Sequence, residues 1–145
     1  MNINSATINS VNASADAASL DGTLAGLDLA GRLSFIAGLG GRAVFTTSLG
    51  IEDQVITAAI GTHRLPIDVV TLETSRLFKE TVDLIDETEE RFGIEIRRFR
   101  PEQDDIDAYA EKYGLNGFYE SVEARHACCH VRKLIPLGKA LDSAA

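Results

Sequence analysis

Cys128 and Cys129 are neighbours, and they are the only two cysteines in the 145-residue chain. A disulfide between adjacent residues strains the bond away from its preferred geometry. The pair therefore reads as two thiolates offered to one soft partner, and iron is the partner expected. The run Arg125-His126-Ala127-Cys128-Cys129-His130-Val131-Arg132-Lys133 crowds both sulfurs with cationic or potentially cationic groups. Positive charge lowers a thiol pKa and favours the thiolate that binds metal or attacks. The bland alternative is two small apolar residues at the start of a helix, and the cationic setting weighs against it. His126 and His130 invite a zinc reading, but zinc sites usually draw on two separated ligand pairs. Four ligands packed this closely can hardly converge on one metal, so the imidazoles are expected to be solvated or to sit outside the metal's own shell.

Two further segments carry usable chemistry. In Thr46-Thr47-Ser48-Leu49-Gly50-Ile51-Glu52-Asp53 a β-rich run enters a Ser/Gly turn and then a helical pattern. Gly50 allows close backbone approach, Ser48 is a cap-type hydroxyl, and the N–H groups that follow make an anion cradle. A capped helix with acidic residues in its first turn explains the same letters. The loop is neither a Walker loop nor the Gly-x-Gly-x-x-Gly dinucleotide fingerprint. In Leu72-Glu73-Thr74-Ser75-Arg76, Thr74 and Ser75 offer hydroxyls and Arg76 offers a guanidinium fork for phosphate or sulfate. A helix cap beside a solvated arginine is the competing reading.

The elements that must position these residues follow from periodicity. Leu20 to Leu39 has apolar residues at helical spacing, and one helix with a break near Gly31 is expected. Ala43–Thr47, Asp68–Leu72 and Ile94–Phe99 read as strands, the last alternating and so nearer an edge. Helical patterns lie between them at Glu52–Ile60 and Leu77–Phe92, the second with Phe78, Val82, Ile85 and Phe92 on one stripe. Helices are also expected at Asp104–Lys112 and from Cys129 to Leu141. Strands recurring about every 25 residues with a helix between each pair give the rhythm of a parallel, doubly wound α/β sheet. Ligands of such sheets bind at the carboxyl ends of the strands, where Ser48 and Thr74 fall. Residues 1–19, rich in Asn, Ser and Ala, are expected to be a flexible tail, and residues 20–145 one domain. Thr23, Tyr109, Tyr113 and Tyr119 are assigned no role beyond surface or core.

Bulk composition narrows the function class. Apolar content is 45%, charged content 25% and formal net charge −8, ordinary for a soluble domain. An acidic chain lacks the broad basic surface that non-specific nucleic-acid binding needs. No apolar run reaches membrane-spanning length. Met1–Ser19 has neither the basic start and hydrophobic block of a secretory signal nor the arginines of a transit peptide. A reactive thiol pair without a disulfide framework points to a reducing cytoplasm.

Taken together, three blocks resemble the assimilatory sulfonucleotide reductases. They are Thr47-Ser48-Leu49-Gly50-Ile51-Glu52-Asp53-Gln54, Leu72-Glu73-Thr74-Ser75-Arg76-Leu77, and Cys128-Cys129-x-x-Arg132-Lys133-x-x-Pro136-Leu137. The tandem cysteines make the resemblance strongest to the iron–sulfur adenylyl-sulfate (APS) reductases. The resemblance implies an adenine-nucleotide α-hydrolase-like sheet with helices on both faces. It also implies reduction of APS to sulfite and AMP, in sulfate assimilation and cysteine biosynthesis. In that reaction a cysteine attacks the sulfate sulfur, and thioredoxin, glutaredoxin or a similar dithiol then releases sulfite. It implies a 4Fe–4S cluster, with Cys128 and Cys129 as the first two of four ligands. Lys133 and Arg132 would lie between cluster and substrate sulfate, with Lys133 the catalytic cation. Ser48, Gly50, Glu52, Asp53, Thr74, Ser75 and Arg76 would line the nucleotide site. The family usually carries Leu-Asp-Thr-Gly-Arg in the second loop, from which Glu73 and Ser75 depart. The later Cys-x-x-Cys and the nucleophilic cysteine of the family have no counterpart here, so the chain is expected to match the N-terminal two-thirds of such an enzyme, C-terminally truncated and inactive alone. Whether it forms a homo-oligomer is left open.

Four rivals remain. One is a reductase of the 3′-phosphorylated nucleotide (PAPS), the family's cluster-free branch. Another is an adenine-nucleotide-binding module without chemistry. A third is an ATP-pyrophosphatase-type adenylyltransferase, whose Ser-Gly-Gly-x-Asp-Ser loop is absent here. The fourth is a simple zinc or thiol-redox protein.

Overall fold

The computed structural model describes residues 17–142 and residue 144. Most of the expected tail lies outside the described residues. Helix α1 spans Ala17–Ala25 and α2 spans Leu29–Ala37. The break between them falls at Gly26–Asp28, not at Gly31, because Asp28 caps α2. Its carboxylate accepts the Gly31 N–H at 2.8 Å, satisfying one of the donors a helix start leaves over. Gly31 therefore lies inside α2.

Three parallel strands follow, β1 (Ala43–Thr46), β2 (Ile67–Leu72) and β3 (Ile96–Phe99), in the order β1-β2-β3. Ala43 pairs with Ile67 and Val69 with Ile96. The alternating third strand is an edge, as its pattern implied. Helix α3 (Ile51–His63) crosses from β1 to β2, and α4 (Lys79–Phe92) from β2 to β3. Residues of alternating side on β2 are buried against different partners. Val69 joins Ile60 of α3, Ile85 of α4, Ile96 and Leu49 in one apolar cluster. Its neighbour Val70, on the other face of the pleat, is also fully buried, and the helix Ile135–Leu141 packs on β2 and β3. Helices thus cover both faces, which explains why β2 reads as a nearly continuous apolar run.

Two glycines set the packing of this layer. A Cβ on Gly61 would lie 2.5 Å from the Phe92 carbonyl oxygen, so α3 and α4 approach this closely only without one. Gly93 ends α4 in the left-handed region at φ +63°, where glycine carries no steric cost.

The last third is helical: α5 (Gln103–Tyr113), a 3₁₀ turn (Gly117–Tyr119), α6 (Val122–Cys129), a π-helical turn (His130–Leu134) and α7 (Ile135–Leu141). The expected helix start near Cys129 is corrected to Val122, because the Ser121 hydroxyl caps it by accepting the Ala124 N–H at 3.1 Å. The cysteines therefore lie inside a helical run that continues through the π turn into α7, instead of beginning one. Pro136, in the first turn of α7, has no N–H for the carbonyl four residues back. A local widening to π geometry accommodates that gap. No described helix is long and apolar enough to cross a membrane.

Candidate functional site

The carboxyl ends of β1 and β2 open into one cleft of about 530 Å³, within the range of small-molecule sites. Its walls include Thr46, Thr47, Ser48, Leu49 and Asp53 from the first loop. Thr71, Leu72, Thr74 and Leu77 come from the second, Thr81 from α4, and Lys133 and Leu137 from the far helical segment. Four residues singled out in the sequence, Ser48, Asp53, Thr74 and Lys133, thus meet although up to 85 positions separate them.

The first loop is internally satisfied. Asp53 accepts the Ser48 N–H at 2.6 Å and the Ser48 hydroxyl at 2.8 Å, with the Thr47 hydroxyl at 3.4 Å. The Ser48 N–H first, and then its hydroxyl, hold the Asp53 carboxyl below the usual carboxylate range. The expected anion cradle is therefore partly filled by the chain's own carboxylate. Ser48 is not the helix cap; Gly50 is, without a side-chain bond. Gly50 has φ −64°, open to any residue. The left-handed position belongs to Leu49 at φ +67°, buried and held by its N–H donating to the Thr47 hydroxyl at 2.9 Å. Glu52 is exposed in the first turn of α3 and, like Gly50, does not line the cleft.

The second loop is clamped from three directions. Ser75 has φ +59°, so it keeps the left-handed conformation that a glycine would favour. The Glu73 carboxylate holds it there, accepting the Ser75 N–H at 2.8 Å while its other oxygen pairs with Arg100 at 2.6 Å. Arg76 turns away from the cleft, donating to the Leu115 carbonyl at 2.7 Å and the Asn116 side chain at 3.1 Å, over the Phe118 ring. Arg132 is buried at 6% exposure and donates to the Thr74 carbonyl at 2.8 Å. Ser75, Arg76 and Arg132 are not among the cleft's lining residues; they shape its wall. Of the three non-glycine residues with positive φ among the described residues, two are Leu49 and Ser75. Such conformations persist where the surroundings over-determine them, often beside a ligand.

The cysteine segment presents two faces. Ala124, Cys128, Arg132, Pro136 and Ala140 recur every fourth residue and lie on the inner side, Cys128 half-buried and the other four buried. Cys129, Lys133 and Leu137 make the adjacent stripe, and its last two members line the cleft. Cys129 is exposed, one turn before Lys133. Lys133 makes no ion pair among the described residues, so its charge is open to a ligand in the cleft. His126 and His130 are exposed.

Sequence reasoning assigned no role to Tyr109, yet it is 5% exposed and its hydroxyl has no hydrogen-bond partner among the described residues. Burial first, and then the nearby Cys128, raise its pKa, against the lowering effect of the Phe118 N–H and of Arg132 and Arg76. Nothing in the letters marks a tyrosine inside an amphipathic helix as unpartnered. Thr71 and Thr81 were likewise passed over as strand and helix residues.

Comparison with known proteins agrees with this geometry. Residues 42–145 match the phosphoadenosine phosphosulfate reductase domain. The chain belongs to that family. It is 94% identical over 139 residues to an adenosine 5′-phosphosulfate reductase of Agrobacterium fabrum, covering 96% of this chain and 54% of that one. It is 72% identical over 122 residues to one of Rhizobium meliloti, covering 84% of this chain and 46% of that one. The chain spans about half the length of these curated relatives. A crystal structure titled as phosphoadenylyl-sulfate reductase from Candida auris, in a phosphate complex, superposes with a TM-score of 0.68 over 89% of this chain and 64% of that one, at 21% identity. At that identity the likeness speaks for the fold, in keeping with the α/β sheet described above.

Among the described residues, no three His, Cys, Asp or Glu side chains gather where they could hold a metal ion. The donor set fits part of an iron–sulfur group: two adjacent thiols, and within electrostatic reach of Cys128 a buried hydroxyl with no acceptor among the described residues.

Proposed function

We propose that these residues supply the nucleotide cleft and half of the cluster ligands of a thioredoxin-dependent adenylyl-sulfate reductase of the relatives' full length. The observation that carries the reading is the meeting of Lys133, one turn after Cys129, with the β1 and β2 loops around one cleft. The similarity to adenosine 5′-phosphosulfate reductases supports it.

In this reading the adenylate lies over the carboxyl ends of β1 and β2. Ser48, Asp53 and Thr74 offer polar atoms to it. Arg76 and Arg132 hold the second loop in shape without reaching the ligand themselves. Lys133 faces the sulfate, where a cation in a partly dry cleft lowers the energy of developing negative charge. The sulfur goes from S(VI) to S(IV); a dithiol such as thioredoxin or glutaredoxin gives two electrons and becomes a disulfide, and AMP leaves. Cys128 and Cys129 would hold two corners of a 4Fe–4S group, which needs four thiolates in its usual form. When bound, that group would bring thiolate and sulfide charge close to the sulfate, and Lys133 is suited to offset it. A reducing, cytoplasmic setting fits these thiols.

The non-phosphorylated nucleotide is favoured over its 3′-phosphate, because Lys133 is the cleft's one cationic lining residue among those described. A second phosphate would call for another. Titrating both nucleotides into the full-length protein tests this: tighter binding of APS is expected, and clear preference for the 3′-phosphorylated form overturns it. Iron and acid-labile sulfide, counted after anaerobic purification, test the cluster.

A further inference from the structure

The Tyr109 hydroxyl is the one buried side-chain polar atom among the described residues without a hydrogen-bond partner. A buried hydroxyl is normally satisfied, and one left alone carries its full desolvation cost. Its position is defined by its neighbours. A Cβ built on Gly117 would stand 3.6 Å from the hydroxyl and 3.8 Å from the Ala124 Cβ. A side chain at 117 would touch both, so Gly117 sits between the hydroxyl and α6, and α5 itself packs on α6. Ala124 and Cys128 are four residues apart and share the inner face of α6. The thiol of Cys128 is near enough to act on the tyrosine electrostatically, as are Arg132 and Arg76. Tyr113, the ring packed at 5.4 Å from it, has its own partner, since its hydroxyl donates to Glu123 at 2.7 Å. The aromatic pair is thus asymmetric: Tyr113 donates to a carboxylate at the surface, while the buried Tyr109 hydroxyl has the Phe118 N–H near its oxygen and no acceptor for its own hydrogen among the described residues.

We propose that Tyr109 donates a hydrogen bond to the sulfur of Cys128 when that sulfur is a ligand of the iron–sulfur group, orienting it and drawing charge from it. The proposal rests on the cluster reading above. Tyr109 is a positioning residue: it acts through Cys128 and touches no substrate. An O–H···S bond withdraws electron density from a ligating thiolate and raises the reduction potential of its group. Partners outside the ligand shell commonly hold a metal's ligands in place, and their loss costs about 10–100-fold in metal retention.

The test compares full-length wild type, Tyr109→Phe and Tyr113→Phe, each purified anaerobically. Tyr109→Phe is expected to release iron to a chelator about tenfold faster or more, to have a lower reduction potential, and to show its Fe–S(Cys) stretching bands at higher frequency. Tyr113→Phe is expected to match wild type in all three. Without iron, Tyr109→Phe should melt no lower than wild type, since it deletes an unsatisfied hydroxyl; this separates the role from simple packing. Iron present with all three readouts unchanged in Tyr109→Phe overturns the inference and leaves the cluster reading standing. Absence of iron from wild type overturns both.

Discussion

The cleft at the strand ends and the cysteine segment beside it are built to opposite rules. In the two loops at the cleft the polar groups find partners within the chain: Asp53 takes the Ser48 N–H, Glu73 takes the Ser75 N–H, and Thr74 gives its carbonyl to Arg132. In the cysteine segment two thiols and the Tyr109 hydroxyl have none among the described residues. Lys133 belongs to the helix of the second region and the wall of the first. A satisfied loop is pre-organised and holds its shape before any ligand arrives. Unsatisfied donors and thiols remain available to the group proposed to bind there. The two regions therefore differ in what a mutation removes: internal support in one, capacity for chemistry in the other.

Lys133→Ala should break the contrast most visibly. In the full-length protein, turnover with adenylyl sulfate and a dithiol is expected to fall on the order of a hundredfold, while stability shifts by no more than about 0.5 kcal/mol. Steady-state rates and a thermal melt measure the two. Unchanged turnover would return Lys133 to the ordinary class of solvated lysines.

Arg132→Ala should behave oppositely, although it is the neighbouring residue. It strips a charged donor from a buried carbonyl, and a loss of about 2–3 kcal/mol is expected, read by denaturant unfolding. Weaker nucleotide binding should accompany it, because the second loop loses its clamp. Full stability would mean that the bond to Thr74 contributes nothing.

Asp53→Asn sharpens the comparison through pH. The Asp53 carboxyl is held low in the folded state. Its contribution is therefore fully present above the unfolded carboxylate pKa of about 3.9, and is lost as pH falls through the lower folded value. Asn at 53 should be less stable than wild type at neutral pH, and the difference should shrink below about pH 4. A stability gap that stays constant across that acid range would count against this linkage.

Ser75→Gly should have the smallest effect. Relief of the left-handed conformation, about 1 kcal/mol, is offset by the larger entropy a glycine loses on folding, about 0.5–1 kcal/mol. Melting temperatures should nearly coincide, and nucleotide affinity should hold.

Much of this was legible in the letters. The β-branched runs, their spacing and the two polar loops that follow the first pair of strands are local patterns, and local patterns report local structure. Gly26–Asp28 and Ser121 were misjudged because a cap is a single side chain meeting one N–H, a weak signal inside an apolar periodicity. Gly50 attracted attention as a glycine, while the strained position was Leu49, held by a threonine hydroxyl that no spacing rule reveals.

By itself, the sequence determined the parallel α/β order, the loops at the ends of β1 and β2, and the pairing of thiols with cations around Cys128. These depend on residue type and on periods of two and about 3.6. Only the tertiary structure decided which polar atoms are spent and which are spare. Arg132 and Lys133 are adjacent cations, yet helix rotation sends one into a buried carbonyl and the other into the cleft. Tyr109 and Tyr113 are one turn apart on a helix, yet one hydroxyl donates to a glutamate and the other finds no acceptor among the described residues. Partnership depends on what another segment of the chain places within about 3 Å, and that is a property of packing.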